Sequence, residues 1–221
     1  MTSTPQALLE RGRRQAGTIR AIYQRGKQRR AWVRERHTQS PPLRAAVASD
    51  VAVTLKYRGE GRGHLSRTEL VVETVRLAWV SDAFFAQLLY RGRVAALRRG
   101  VPVVPRLCHL GSMAVSQVCI GDPVLIEPGL YLPHGQVVID GITQVGSDVI
   151  VFPWTTIGLR GGQYTGPTVG DGVHVGTGAK VVGPVTVGRD SRLGANTVVV
   201  HDVPAQSTVV GVPGHSRAIR T

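Results

Sequence analysis

From about residue 120 the chain places an aliphatic residue at every sixth position. Ile120, Ile126 and Leu132 open the series, Ile139, Val145, Val151 and Ile157 continue it, and Val169, Val175, Val181, Val187, Leu193 and Val199 complete it. Two further columns run beside this one. Gly121, Gly146, Gly158, Gly170, Gly176, Gly188 and Gly194 each follow an aliphatic member. Four residues after it stand Val124, Thr143, Val149, Thr155, Val173, Ala179, Val185, Ser191 and Thr197, all small or β-branched. A helix groups positions 3.6 apart and an ordinary strand groups alternate ones, so neither uses a period of six. The pattern predicts a β-solenoid in which each hexad is one short strand and one corner, and three hexads close a triangular coil. The aliphatic residue then points inward and stacks on its equivalent one coil away. Glycine is expected to relieve a corner with positive φ.

The register breaks twice. Leu132 and Ile139 are seven apart, which places one extra residue around His134, Gly135 and Gln136. Between Ile157 and Val169 no hexad is visible, and residues 159–168 read as a loop thrown out from a corner, with Gly161, Gly162 and Pro167 as its turn chemistry. Regular repeats build scaffold, so the interruptions are where function is to be sought.

Upstream the spacing is helical. Ser66 and Glu69 form a capping-box pattern before Leu70, Val71 and Val72, and Ser81 and Asp82 offer a second cap before Phe84, Phe85, Leu88 and Leu89, which share a face. Gly100 and Pro102 stop that helix, and a third is expected between Val104 and Val115. Before them Val51, Val53, Leu55 and Tyr57 alternate like a short strand, and Gly59, Gly61 and Gly63 make a flexible joint. Residues 1–44 hold eleven of the 27 Lys and Arg residues against Glu10 and Glu35, and Ile19, Ile22 and Tyr23 fall at helical spacing. The expected division is a basic N-terminal arm and linker over 1–63, a small α-helical subdomain over 64–118, the solenoid over 119–213 and a tail over 214–221.

Composition narrows the function classes. Over 221 residues, 42% hydrophobic content excludes disorder, and only 5% aromatics fits a core of stacked aliphatic side chains. Two cysteines, Cys108 and Cys119, rule out a disulfide scaffold and fit the reduced cytoplasm. No transmembrane segment is expected, since the apolar stretch 77–90 contains Asp82 and falls short of the roughly 20 residues a spanning helix needs. No secretory signal is expected either. The net charge of +13 is mostly arginine, and the basic arm fits contact with nucleic acid or an anionic membrane as well as it fits a solvated helix. No histidine pair has the five-residue spacing of a zinc carbonic anhydrase on this kind of scaffold, so no metal is expected.

These motifs resemble the hexapeptide-repeat acyltransferases, and within them the serine acetyltransferases and their relatives in surface-polysaccharide acetylation. The resemblance runs over residues 82–213. It is carried by the helix 84–100 with Tyr90 and Arg91, by Gly129-Leu-Tyr-Leu-Pro-His134-Gly, by Gly176-Thr-Gly-Ala-Lys180 and Leu193-Gly-Ala-Asn196, and by the closing Asp202-Val-Pro204 and Gly211-Val-Pro213. It implies a left-handed parallel β-helix, a homotrimer or a dimer of trimers with active sites between subunits, and acetyl-CoA as co-substrate. It also implies that His134 is the catalytic base, that Gly158, Gly176, Thr177 and Ala195 line the thioester and pantetheine, and that Lys180 and Arg192 meet the phosphates, with Arg217 and Arg220 adding from the tail.

A base titrating near neutrality suits removal of a hydroxyl proton during acyl transfer. The sequence departs from the serine enzymes where Pro133 replaces an Asp, where Cys119 replaces the orienting carboxylate, and where Thr165 and Gly166 replace an Arg-His pair. Asp122, Glu127 and Asp140 are candidates to orient His134 instead. The implied activity is O-acetylation of a sugar or small-metabolite hydroxyl, with serine or an amino-sugar nitrogen as alternative acceptors. A non-enzymatic solenoid whose arm binds polyanions is the reading of another class. His174 and His201 sit inside regular hexads as ordinary surface or interface residues, and His37, His64, His109 and His215 carry no supporting pattern.

Overall fold

The computed structural model of the chain describes residues 24, 26–61 and 63–218. Residues 1–23 of the basic arm, including Ile19, Ile22 and Tyr23, and Arg220 of the tail lie outside them. Among the described residues five helices come first: α1 over residues 26–36, α2 (Leu43–Tyr57), α3 (Arg67–Val80), α4 (Asp82–Arg99) and α5 (Val104–Ser116). The caps are those the spacing predicts. The Ser66 hydroxyl accepts the Glu69 N–H while the Glu69 carboxylate accepts the Ser66 N–H, and the Ser81 hydroxyl accepts the Phe84 N–H. Gly100 ends α4 at φ 71°, the left-handed conformation that suits glycine.

The strand expected at Val51–Tyr57 is a helix. Alternation over so few residues also contains the i, i+4 pair Val51 and Leu55, and in α2 these two are buried against Leu77 of α3 and Phe84 of α4. Ala46, Asp50 and Thr54 continue the same buried stripe. Pro41 and Pro42 stand just before the first turn, where a missing N–H costs nothing.

The strands form the three faces of a prism. The first face stacks β1 (Cys119–Ile120), β3 (Val138–Ile139), β6 (Thr156–Gly158), β9 (Lys180–Val182) and β12 (Val198–Val199). The second stacks β2 (Leu125–Ile126), β4 (Ile142–Val145), β7 (Thr165–Val169) and β10 (Thr186–Val187). The third stacks β5 (Ile150–Val151), β8 (His174–Val175), β11 (Arg192–Leu193) and β13 (Ser207–Val210), and closes with the antiparallel β14 (His215–Ala218). Val169, Val175 and Val181 therefore occupy successive faces. In the regular part a residue pairs with one 18 positions away, as Val169 with Val187 and Val181 with Val199. The interval is 19 across the His134 insertion, from Ile120 to Ile139, and 24 across the second break, from Ile157 to Val181. That second break is shorter than the expected loop. Residues 159–165 are exposed, but Thr165–Val169 already run as β7 beside β4.

All thirteen aliphatic hexad residues are buried in one column-like core, which Tyr90, Val94, Ala83 and Ala86 of α4 close at its first coil. Positive φ falls elsewhere than expected, three residues after the aliphatic position, at Asp148, Trp154, Asp190 and Asn196 among others. Most glycines following the aliphatic residues, though not Gly158, answer a different constraint. A Cβ on Gly176 would stand 2.6 Å from the Leu193 carbonyl oxygen, and one on Gly188 would stand 2.3 Å from the Ala205 nitrogen. Adjacent coils approach too closely there for any side chain.

The helices cap the solenoid. Some of each coil's N–H groups donate to carbonyls of the following coil, as Cys119 to Val137, Gly121 to Ile139 and Glu127 to Val145, while others, as Trp154 to Gln136, donate back to the preceding one. First-coil carbonyls thus have no preceding coil to satisfy them, and leaving buried carbonyls unpaired is costly. Side chains take the place of that coil. Arg93 donates to the Ile120 and Gly121 oxygens at 2.6 and 3.1 Å, Arg91 to those of Ile126 and Glu127 at 2.6 and 2.8 Å, and Tyr90 to that of Val124 at 3.0 Å. Gln87 serves Leu130, Ser112 serves Val118, Arg36 serves Pro123, and His37 meets the Asp122 oxygen at 2.7 Å through Nε2. Arg36, partly buried, and His37, fully buried, thereby pack against the first coil although the sequence placed them in a basic arm.

Candidate active site

His134 is exposed on the edge where the third face turns into the first, between the first and second coils. Backbone hydrogen bonds stack the later corners of this edge above it. Trp154 N donates to the Gln136 oxygen at 2.8 Å, Gly178 N to that of Pro153 at 2.9 Å, and Asn196 N to that of Thr177 at 2.8 Å. Gly176, Thr177 and Ala195 consequently share one edge of the prism with His134. Lys180, the first residue of β9, joins them, because its ammonium donates to the Trp154 carbonyl. Thr177, Ala195 and Trp154 are all exposed, so the edge is open to solvent.

Arg192 stands exposed on the third face, its Cα paired with those of His174 and Thr208, and Thr208 is paired in turn with Arg217 of β14. These residues form a basic strip leading away from the edge. Gly158 lies apart: it ends β6 at the opposite edge of the first face and is buried. A Cβ there would find its nearest contact, the Asp140 oxygen, at 3.8 Å, so packing within the chain does not require glycine. One chain alone does not bring Gly158 and His134 together.

Gly135 has a purely structural reason. A Cβ on it would stand 1.8 Å from the Ser116 carbonyl oxygen, to which Gln136 N donates at 2.9 Å. The end of α5 therefore sits directly on this corner and fixes where His134 leaves the coil. Among the described residues no side chain hydrogen-bonds the His134 ring. Asp122 and Asp140 stand at the far edge of the first face and Glu127 follows β2, so none of the three orients His134 within one chain.

The sequence reading missed the groups that hold the coil entering this corner. Asp50 and Arg91, both buried, meet at 2.8 and 3.0 Å, and Asp50 Oδ1 also accepts the N–H groups of Gly129 and Leu130 at 2.9 and 3.0 Å. Burial pushes the Asp50 carboxyl up, against the pull of Arg91 and the two N–H donors. Arg91 stood out by resemblance; Asp50 gave no signal, because a lone Asp on a helix looks like a solvated residue. On the third face Tyr57 stacks on Tyr131 with ring centres 5.3 Å apart, and His174 meets Tyr57 edge-on. His174 is thus half-buried under the last turn of α2.

A family model for the bacterial transferase hexapeptide, described as six repeats, matches residues 166–201. A serine acetyltransferase of Mycobacterium tuberculosis is 41% identical over 120 residues, 53% of this chain and 52% of that protein. One of Helicobacter pylori strain J99 is 38% identical over 130 residues, 57% of this chain and 75% of that protein. Among solved structures, a serine acetyltransferase of Brucella abortus in complex with coenzyme A superposes with a TM-score of 0.61 at 21% identity, over 78% of this chain and 66% of that one. The fold is thereby that of the hexapeptide-repeat transferases, a left-handed parallel β-helix behind an N-terminal helical unit. Against the first curated relatives the chain spans about half their length. It belongs to the serine acetyltransferase family.

Proposed function

We propose that the protein is an acetyl-CoA-dependent O-acetyltransferase in which His134 is the general base. The observation that carries this reading is the edge on which His134, Thr177, Ala195 and Lys180 lie in register, with small residues for a pantetheine arm and a cation beyond. Family membership and the coenzyme-bound neighbour support it. In the reaction the His134 imidazole takes the acceptor's hydroxyl proton as that oxygen attacks the thioester carbonyl, and backbone N–H groups stabilise the oxyanion. The tetrahedral intermediate then collapses, the C–S bond breaks, and the imidazolium returns its proton to the departing thiolate, leaving an acetyl ester and free coenzyme A. Gly158, Gly176, Thr177 and Ala195 line the thioester and pantetheine, and Lys180 and Arg192 meet the phosphates.

The working form we propose is a homotrimer with sites between subunits. The separation of Gly158 from His134, and the fact that no side chain among the described residues hydrogen-bonds the His134 ring, both support it. The exposed apolar face of α3, with Val71, Val75 and Trp79, supports pairing of two trimers through their helical units. No helix among the described residues is long and apolar enough to cross a membrane, and we place the activity in the cytoplasm.

For the acceptor, Pro133, Cys119, Thr165 and Gly166 favour a sugar or small-metabolite hydroxyl over serine. A second reading, serine itself, is favoured by the curated relatives, which are serine acetyltransferases at 38 and 41% identity. Thiol release from acetyl-CoA, measured over serine, homoserine, sugars, amino sugars and nucleotide sugars, separates the two. Release with a sugar or small hydroxyl supports the first reading, release with serine alone the second. No release with any acceptor overturns both.

A further inference from the structure

A cavity of about 750 Å³ opens between α1, the α4–α5 turn and the first coil of the solenoid. Sites for small molecules span roughly 300–1,000 Å³. Its helical wall carries Lys27, Arg29 and Arg30 from α1 and Arg106 from α5, and its floor carries Asp122 and Asp140. The floor is built. Arg93, buried beneath it, holds the Ile120 and Gly121 carbonyls, and His37 holds that of Asp122. The Asp140 carboxylate lies over Gly121, where a Cβ would stand 2.2 Å from Oδ1, so glycine is what allows the carboxylate to reach across the strand. Asp122 has only a long ion pair, to Arg93 at 3.9 Å, and Asp140 has no ion pair among the described residues.

Opposite demands meet in this one space. Arginines forming one wall suit a phosphate, which accepts several charge-assisted hydrogen bonds. The floor repels an anion charged along its whole length, as a nucleic-acid strand is, but accepts hydrogen bonds from hydroxyls. We propose that the cavity binds a sugar phosphate, with its phosphate on the α1 wall and its hydroxyls on Asp122 and Asp140, and that this sugar is the acceptor, presented from the far edge of the first face to the His134 edge of a neighbouring subunit. The acceptor role rests on the acetyltransferase reading; the binding site does not.

The test is calorimetric titration of the full chain with glucose 1-phosphate, N-acetylglucosamine 1-phosphate and UDP-N-acetylglucosamine, against inorganic phosphate and free N-acetylglucosamine. At least one phosphorylated sugar should bind tenfold or more tightly than either control. The double variant Arg29→Gln, Arg30→Gln should weaken that ligand and inorganic phosphate alike by about tenfold or more. Asp140→Asn should weaken the sugar phosphate while leaving inorganic phosphate unchanged or tighter. His134→Ala should bind the sugar phosphate normally and fail to acetylate it, which separates this inference from the catalytic one. Phosphorylated sugars that bind no better than phosphate, or binding unmoved by the cavity variants, would overturn the site; tight binding without acetyl transfer by the wild type would overturn the acceptor role.

Discussion

Asp50 and Arg91 form a two-point ion pair inside the protein, and the same two side chains hold the first coil by its backbone, Asp50 at Gly129 N and Leu130 N and Arg91 at the carbonyls of Ile126 and Glu127. A helix cation and a helix anion thus replace the coil that the solenoid lacks at its start. Part of the chain's positive charge is therefore structural, since Arg36, Arg91 and Arg93 all donate to first-coil carbonyls.

Removing one partner of this pair leaves the other charge buried and two N–H groups without an acceptor. Asp50→Ala should cost about 3–5 kcal/mol of stability, read from urea unfolding. A loss under about 1 kcal/mol, within the range of an exposed ion pair, would contradict the capping role.

The glycines after the aliphatic hexad residues divide into two kinds. Gly188→Ala drives a Cβ to 2.3 Å from the Ala205 nitrogen and should cost about 1–3 kcal/mol. Gly158→Ala has room and no positive φ, so its stability should stay within about 1 kcal/mol of wild type. If Gly158 lines the acetyl-CoA path, that variant should instead raise the KM for acetyl-CoA. Equal losses of stability in the two variants would show that the coils do not stack as described.

Stability should fall on mild acidification. Burial holds the His37 imidazole below its ordinary value of 6.5, with the charges of Arg93 and Arg36 adding to the effect, and His109 and His174 are shifted the same way. A folded-state value below the unfolded one means that the unfolded chain takes up the proton first as pH drops. Stability is then fully present above about 6.5 and is lost progressively below it. Between about pH 7.5 and 5.5 the thermal midpoint should drop, and His37→Gln should flatten that slope. An unchanged slope in the variant would mean that His37 does not titrate on unfolding.

The solenoid was readable because its core repeats every six residues, so each buried position announces itself in a column from Ile120 to Val199. Helices α3 and α4 were readable from their caps, which are local. α2 was not, since Val51, Val53, Leu55 and Tyr57 satisfy both periods and tertiary contact with Leu77 and Phe84 decides between them. The capping residues were illegible for a deeper reason. Which carbonyls lack a partner depends on where the first coil stands in space, and nothing in the spacing of Asp50, Gln87 or His37 records it. At the candidate site the edge shared by His134, Thr177, Ala195 and Lys180 follows from hexad register, whereas the position of Gly158 relative to His134 depends on assembly.

The proposed catalysis depends most on His134, and the most direct measurement is the rate of thiol release from acetyl-CoA by wild type and His134→Ala with the best acceptor from the screen. The variant should unfold at the wild-type temperature, bind acetyl-CoA normally and turn over about a hundredfold more slowly or worse. Turnover at the wild-type rate would show that this histidine carries no proton and that the open edge is not where the chemistry takes place.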